Sequence, residues 1–185
     1  MIRSLALAAL ALAAAGPETA RTTGRSIGTL AEVPLRSRTG VPLRLGSRIA
    51  PGKPTLIAIW ASWCPPCMVE APLFARMRRD LGGGFNFVYV DRRDGDPDPK
   101  QPAAAVSQFL ARADLADVDY VVADPRAYCR IVGADLRDLP DGKIGIPRVY
   151  VFDASGRQVH TAYGFAPGDA DDLERRVKQA MVATR

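Results

Sequence analysis

Cysteine and histidine are scarce in this chain: three of the former and one of the latter among 185 residues. That density is far below what a small disulfide-framework fold needs, and no second Cys or His pair has zinc-finger spacing. Long hydrophobic runs are missing as well. No stretch of ~18 or more apolar residues stands free of charge, which excludes a polytopic membrane protein. Aromatic residues make up only 7% of the chain, and its 25 basic residues are scattered among 20 acidic ones instead of forming a stripe. A net charge of +5 so distributed, without aromatic-interleaved basic motifs, gives no reason to expect nucleic acid as a partner. What is present is ordinary: 48% hydrophobic and 24% charged residues describe a globular chain long enough for a real core. One domain is the expectation at this length.

The N-terminus reads as an address. Met1, Ile2 and Arg3 precede an apolar run from Leu5 to Ala15, and Ala13-Ala14-Ala15 offers a small-residue cleavage site ahead of Gly16 and Pro17. This is the layout of a secretory signal peptide over residues 1–15. The competing reading is an uncleaved membrane anchor, which needs ~20 apolar residues. No Cys follows the run, so a lipidated anchor is not expected. Residues 16–32 read as linker and 33–185 as the folded domain. Export places the protein in the periplasm or another compartment where disulfides persist.

Along the domain, Val33-Pro34-Leu35-Arg36 and Val41-Pro42-Leu43-Arg44-Leu45 flank Ser37-Arg38-Thr39-Gly40. They predict a hairpin whose prolines put its strands at a sheet edge. Thr55-Leu56-Ile57-Ala58-Ile59-Trp60 is a continuous apolar run of strand length, as expected of a central strand buried on both faces. A helix follows, with Val69, Leu73, Met77 and Leu81 on one stripe and Gly82-Gly83-Gly84 at its end. Further strands are expected at Phe85–Val90 and Tyr120–Val122, and helices at Ala103–Ala113 and, for a turn or two, Arg126–Val132. Asp91–Pro102 and Ala134–Gly145 read as loops. Arg148–Phe152 and Gln158–Ala162 around Asp153-Ala154-Ser155-Gly156 predict a second hairpin, and a closing helix runs from about Asp169 to Ala183 with acids first and basic residues last. Alternating strands and helices of this kind indicate a mixed-sheet α/β sandwich.

The chemistry lies in Cys64-Pro65-Pro66-Cys67, between the buried strand and the helix. As a structural staple so small a loop contributes only about 2 kcal/mol. As half of a zinc site it would need Cys129 and His160 gathered by the fold. A redox dithiol suits the position better. With Cys64 as N-cap, Pro65 falls at the first helical position, where its missing N–H costs nothing. The backbone N–H of Cys67 then points at the Cys64 sulfur. Free N–H groups and the helix dipole favour a thiolate there, below the ~8.5 of a free thiol. Cys64 is the expected nucleophile and Cys67, one turn on, the resolving thiol. Trp63 is expected to cover the Cys64 sulfur, Trp60 to lie in the core, and Pro72 to kink the helix. Cys129 reads as a buried small hydrophobe, with a regulatory or intermolecular disulfide as the alternative. His160 reads as a surface hairpin residue.

Trp63-Cys64-Pro65-Pro66-Cys67 after an apolar strand, Pro72 five residues beyond the second Cys, and Gly145-Ile146-Pro147 before the last hairpin together resemble the thioredoxin fold. Trp60-Ala61-Ser62-Trp63 ahead of the motif, Glu70 and Pro72 after it, and Phe152-Asp153-Ala154-Ser155-Gly156 are similar, more narrowly, to the exported TlpA/ResA/CcmG-type thiol-disulfide reductases. The resemblance runs from about Val33 to the C-terminus. It implies a central mixed sheet flanked by helices, with an N-terminal β-hairpin and an inserted helix and loop region. It also implies a redox-active Cys64–Cys67 pair that works without a further cofactor or metal. In the family the proline at position 147 is cis and faces the dithiol, so that the Ile146 backbone pairs with an extended substrate strand. Ala58 stands where thioredoxins proper carry a buried Asp, and Glu70 where the exported reductases carry a Glu. Its spacing puts the Glu70 carboxylate on the Cys67 face, to take or return a proton during exchange; a solvated helix residue is the competing reading. Arg148 and Val149 depart from the Thr or Ser common after the proline, which makes Arg148 a candidate for recognising an acidic partner, or simply a solvated residue.

The expected function is that of an exported reductase of protein disulfides, of the kind that serves cytochrome c maturation or the copper sites of oxidases. Its expected electron source is a membrane thiol reductant of DsbD/CcdA type, with a membrane tether if the first segment is not cleaved. The absence of His between the cysteines and the presence of Glu70 lean towards reducing character. A disulfide-donating oxidase and a Cu(I)-handling chaperone using the same thiolates are the alternatives. The two long loops are expected to border the site.

Overall fold

The computed structural model describes residues 24–93, 102–138, 145–166 and 168–182. The expected signal segment 1–15 lies outside them, as do parts of both long loops. Among the described residues the strands are β1 (Pro34–Ser37), β2 (Pro42–Arg44), β3 (Thr55–Trp60), β4 (Asn86–Arg92), β5 (Val121–Ala123), β6 (Arg148–Phe152) and β7 (Gln158–Tyr163). The helices are α1 (Pro65–Leu81), α2 (Pro102–Arg112), α3 (Pro125–Val132) and α4 (Asp169–Val182). The strands form one sheet in the order β2-β1-β5-β4-β3-β6-β7. β3, β4 and β5 run parallel, and the remaining neighbours pair antiparallel. This is the thioredoxin-like α/β fold, with the N-terminal hairpin β1–β2 added at one edge. Among the described residues no helix is long and apolar enough to cross a membrane.

β3 explains its own sequence. It is bonded to β4 on one side and β6 on the other, and all six of its residues are buried. A strand covered on both faces has no position for a polar side chain to reach water. Its C-terminal end delivers the chain to Cys64.

Two cores flank the sheet. One, under α1, α2 and α4, is aromatic: the Trp60 ring lies between Tyr89 at 4.7 Å and Phe109 at 4.5 Å, nearly parallel to both. Such pairs contribute about 0.5–1.5 kcal/mol each beyond their buried area. The other, under α3, is mainly aliphatic, with Leu30, Leu45, Ile57, Ile59, Val90 and Ile131 around Tyr128 and Phe152.

Five expectations are corrected. The stripe on α1 is rotated at its start: Leu73 and Met77 are buried as expected, but Val69 is 64% exposed, while Cys67, Glu70, Ala71 and Phe74 face inward. Phe74 sets that rotation by packing on Phe87 and Tyr89 of β4. Residues 24–32 are not linker. Ser26 bridges to Arg157, Ile27–Leu30 form a 3-10 turn, and Leu30 is buried. The turn seats against Gly156, whose φ of 81° and contact with Ile27 (a Cβ there would lie 2.8 Å from Cγ2) both require glycine. Only β2 is an edge strand of the hairpin, since Arg36 and Ser37 of β1 pair with β5 beyond Pro34. Asp91 and Arg92, expected in a loop, are buried residues of β4. The last turn of α4 carries no basic residue, although its first turn is acidic as expected.

Candidate active site

The helix start is built as its residue types dictate. Cys64 is the N-cap of α1, in extended conformation, and its sulfur accepts from the Cys67 backbone N–H at 3.3 Å. Pro65 and Pro66 occupy positions where no intrahelical donor is needed. Pro72 does not end the helix, which continues to Leu81. Cys64 and Cys67 are joined in a disulfide, with Cα atoms 5.3 Å apart. Both are nearly sealed, at 2% and 1% exposure. Trp63 beside them is partly buried and packs on the aromatic core, with its indole N–H making no hydrogen bond among the described residues.

Glu70 is not solvated. One turn from Cys67 on the inward face of α1, it is 2% exposed. Burial, with the Asp169 carboxylate adding to it, pushes its carboxyl up to about 8 from an ordinary 4.5, so it holds a proton at neutral pH. Asp169 opens α4, where its carboxylate accepts from the Ala166 N–H at 2.6 Å. Tyr89 faces the same interior. Its hydroxyl has no hydrogen-bond partner among the described residues, and burial together with Glu70 and Asp91 drives it well above the usual phenol range. Ala58 is buried in the middle of β3, so Glu70 is the buried carboxylate of this interior where thioredoxins proper carry one on the strand.

The Ile146-Pro147 bond is cis and Pro147 is buried. Arg148 pairs with Ile59 in the β3–β6 ladder, which sets Pro147 beside the end of β3 from which the chain runs to Cys64. Ile146 precedes the first paired residue of β6. The Arg148 Nε donates to the Gly145 carbonyl at 2.8 Å, and its guanidinium carbon lies 4.3 Å from the centre of the Tyr163 ring.

The other sulfur and the imidazole are elsewhere. Cys129 is buried on α3, across the sheet from the disulfide. His160 is half-buried on β7, its pKa lowered by desolvation despite Asp172 and Asp169 nearby. The four groups of the zinc reading are therefore not gathered, and no cluster of three metal-ligating side chains occurs among the described residues. Sequence reasoning missed Asp169 and Tyr89 as neighbours of Glu70. Asp169 was legible only as a first-turn acid of the last helix, and Tyr89 only as a strand residue.

Comparison with known proteins agrees with this arrangement. The chain is 29% identical over 133 residues to the thiol:disulfide interchange protein HelX of Rhodobacter capsulatus. That match covers 72% of this chain and 64% of the relative, so the chain spans less than two thirds of that protein's length. Among solved structures, a thiol:disulfide interchange protein of the thioredoxin family from Chlorobium tepidum superposes with a TM-score of 0.58 at 25% identity, covering 85% of this chain and 97% of that one. A secreted disulfide oxidoreductase of Mycobacterium tuberculosis, homologous to E. coli DsbE, gives 0.57 at 19% identity, covering 82% and 98%, and shares the fold. With the family profile matching residues 31–177, across the sheet and the disulfide-bearing helix, the chain belongs to the Redoxin family.

Proposed function

We propose that this protein is an exported thiol-disulfide oxidoreductase that reduces protein disulfides through Cys64 and Cys67. The observation that carries the reading is the disulfide at the start of α1, with the Cys67 N–H aimed at the Cys64 sulfur. In the reduced protein that N–H and the helix dipole stabilise a Cys64 thiolate. The thiolate attacks one sulfur of a substrate disulfide and releases the other as a substrate thiolate. The Cys67 thiol passes its proton to Glu70 in its ionised form, the minor fraction at neutral pH for a carboxyl near 8 and the major one above it. The Cys67 thiolate then attacks the Cys64 sulfur, closes the internal disulfide and expels the second substrate thiolate. Two electrons pass to the substrate, and Glu70 ends protonated, which matches its carboxyl sitting near 8 in the oxidised state.

Trp63, Ile146, Pro147 and Arg148 are the proposed substrate contacts, Trp63 preceding Cys64 in the chain and Ile146–Arg148 entering β6 beside the end of β3 that leads to it. Met68 and Val69, 41% and 64% exposed on the turn after Cys67, add an apolar margin suited to a polypeptide. The apolar first segment and the likeness to a secreted relative support export, with periplasmic residence or an uncleaved tether as the forms it takes. In an oxidising compartment the pair needs a steady electron source, and a membrane thiol reductant of DsbD/CcdA type fills that role. Assembly of cytochromes c or of oxidase copper sites is the proposed use.

The equilibrium potential of the pair in glutathione or dithiothreitol buffers, with Cys129→Ala as control, tests the direction. A value towards about −270 mV supports a reductase, whereas one near −120 mV makes the protein a disulfide donor.

A further inference from the structure

Beyond the disulfide, the sheet face under α3 holds basic and phenolic groups that the exchange reaction does not use. Arg148 and Tyr150 alternate on β6, and Tyr163 on β7 lies directly opposite Arg148, so all three side chains leave the sheet on one face. The Arg148 guanidinium is fixed by the Gly145 carbonyl at its Nε and by the Tyr163 ring beneath it. Tyr163 is 64% exposed, so this stacked pair opens to solvent. Tyr150 is 3% exposed; its hydroxyl meets no partner at strict hydrogen-bond geometry among the described residues, but it lies close enough to the Arg148 guanidinium for that group to offset part of the rise that burial imposes on its pKa.

The charge on this face is one-sided. Arg25 reaches across to the carbonyls of Arg130 and Ile131 at the end of α3, and Arg92 stacks on Tyr128 at 4.4 Å. Neither Arg25 nor Arg148 has a carboxylate within ion-pair distance among the described residues, whereas Arg48, Arg78, Arg79 and Arg93 each do. The acid opening α3, Asp124, is occupied in capping the Ala127 N–H. A guanidinium held at its Nε and one flat side keeps the outer edge of its fork for an acceptor. A planar carboxylate matches that edge with two parallel hydrogen bonds.

We propose that Arg148, positioned by Gly145 and Tyr163 and backed by the Tyr150 hydroxyl, is a carboxylate-binding subsite for an acidic side chain of the polypeptide lying along Ile146-Pro147. The inference rests on the reading of that segment as the substrate edge, and it names the substrate class: disulfide-bearing polypeptides with Asp or Glu flanking the reactive cysteine. The exposed Tyr163 ring beside the guanidinium offers an apolar wall for the methylenes of such a side chain.

The test uses the full reduced chain and three peptide disulfides of one sequence, with Glu, Gln or Lys beside the reactive cysteine. The Glu peptide should be reduced about tenfold faster than the Gln peptide, the size of one charge-assisted hydrogen bond, with Lys slowest and the advantage shrinking as salt rises. In Arg148→Gln the Glu-to-Gln ratio should fall to about one, in Tyr150→Phe it should fall several-fold, and Arg148→Glu should invert the order in favour of Lys. Because each readout is a ratio between peptides on one protein preparation, partial unfolding of a variant cancels. Equal rates for Glu and Gln on the unaltered protein, or a ratio that survives Arg148→Gln, would overturn the subsite. Inhibition of the Glu peptide by free acetate or inorganic phosphate at peptide-like concentrations would overturn the polypeptide as its ligand. Failure to reduce any of the three peptides would instead count against the thiol-disulfide reading itself.

Discussion

On the α1 face of the sheet several polar groups are sealed: Glu70 carries its proton at neutral pH, and the Tyr89 hydroxyl and Trp60 indole N–H make no hydrogen bond among the described residues. On the α3 face Arg25, Arg92 and Arg148 lie against backbone carbonyls or aromatic rings. The contrast follows from what each face offers. A carboxyl buried among aromatic rings with a second carboxylate nearby is cheapest when neutral. A guanidinium lying flat on a ring loses less hydration and gains the attraction of the ring's π face, so it stays ionised. One face therefore holds a proton one helical turn from the disulfide, and the other places guanidinium groups beside the cis proline.

The comparison breaks most completely at the sulfurs. Cys64→Ser should abolish disulfide reduction, and Cys67→Ser should stall it at a mixed disulfide visible as a covalent adduct on a non-reducing gel. Next in size is the aromatic core. Trp60→Ala should cost about 3–5 kcal/mol in a denaturant titration. Tyr150→Phe on the other face removes only a hydroxyl beside Arg148 and should change stability by about 1 kcal/mol or less.

Glu70→Gln sharpens the contrast through pH. The folded protein holds this proton up to about 8, whereas the unfolded chain releases it near 4.5. Between those values the native state binds more protons. The contribution of Glu70 to stability is thus fully present below the unfolded value and is lost as pH rises towards the folded one, at about 1.4 kcal/mol per pH unit. Glu70→Gln should abolish that slope in the oxidised protein and remove a limb near pH 8 from the profile of the resolving step. The smallest effect belongs to the surface: Arg78 and Asp117 make a bidentate pair at 2.9 Å, but Asp117 is largely exposed, so Asp117→Ala should cost at most about 1 kcal/mol and less in high salt.

Wherever local pattern and final environment coincide, the elements were legible beforehand. The β3 run, the two hairpins, and the Cys64 cap with Pro65 behind it depend on short-range rules of periodicity, turn chemistry and helix starts, and they occur where those rules put them. α1 shows the limit. Its apolar residues fit more than one stripe, and the chosen one held for Leu73 and Met77 but failed at Val69, because Phe74 had to meet Phe87 and Tyr89, partners that periodicity within the helix cannot see. The same holds for residues 24–32, whose short turn has little local signal and is fixed by Gly156 and Arg157 more than a hundred residues later.

The site divides along the same line. Sequence by itself determined which two sulfurs pair, because a helix N-terminus with cysteines three apart brings them into bonding range using backbone geometry alone. Tertiary structure alone decided that Glu70 is sealed and protonated, that Asp169 from the last helix raises its pKa further, and that Arg148, Tyr150 and Tyr163 share one face. Desolvation, charge proximity and strand register are properties of the space between distant segments, and they come into being only when those segments pack.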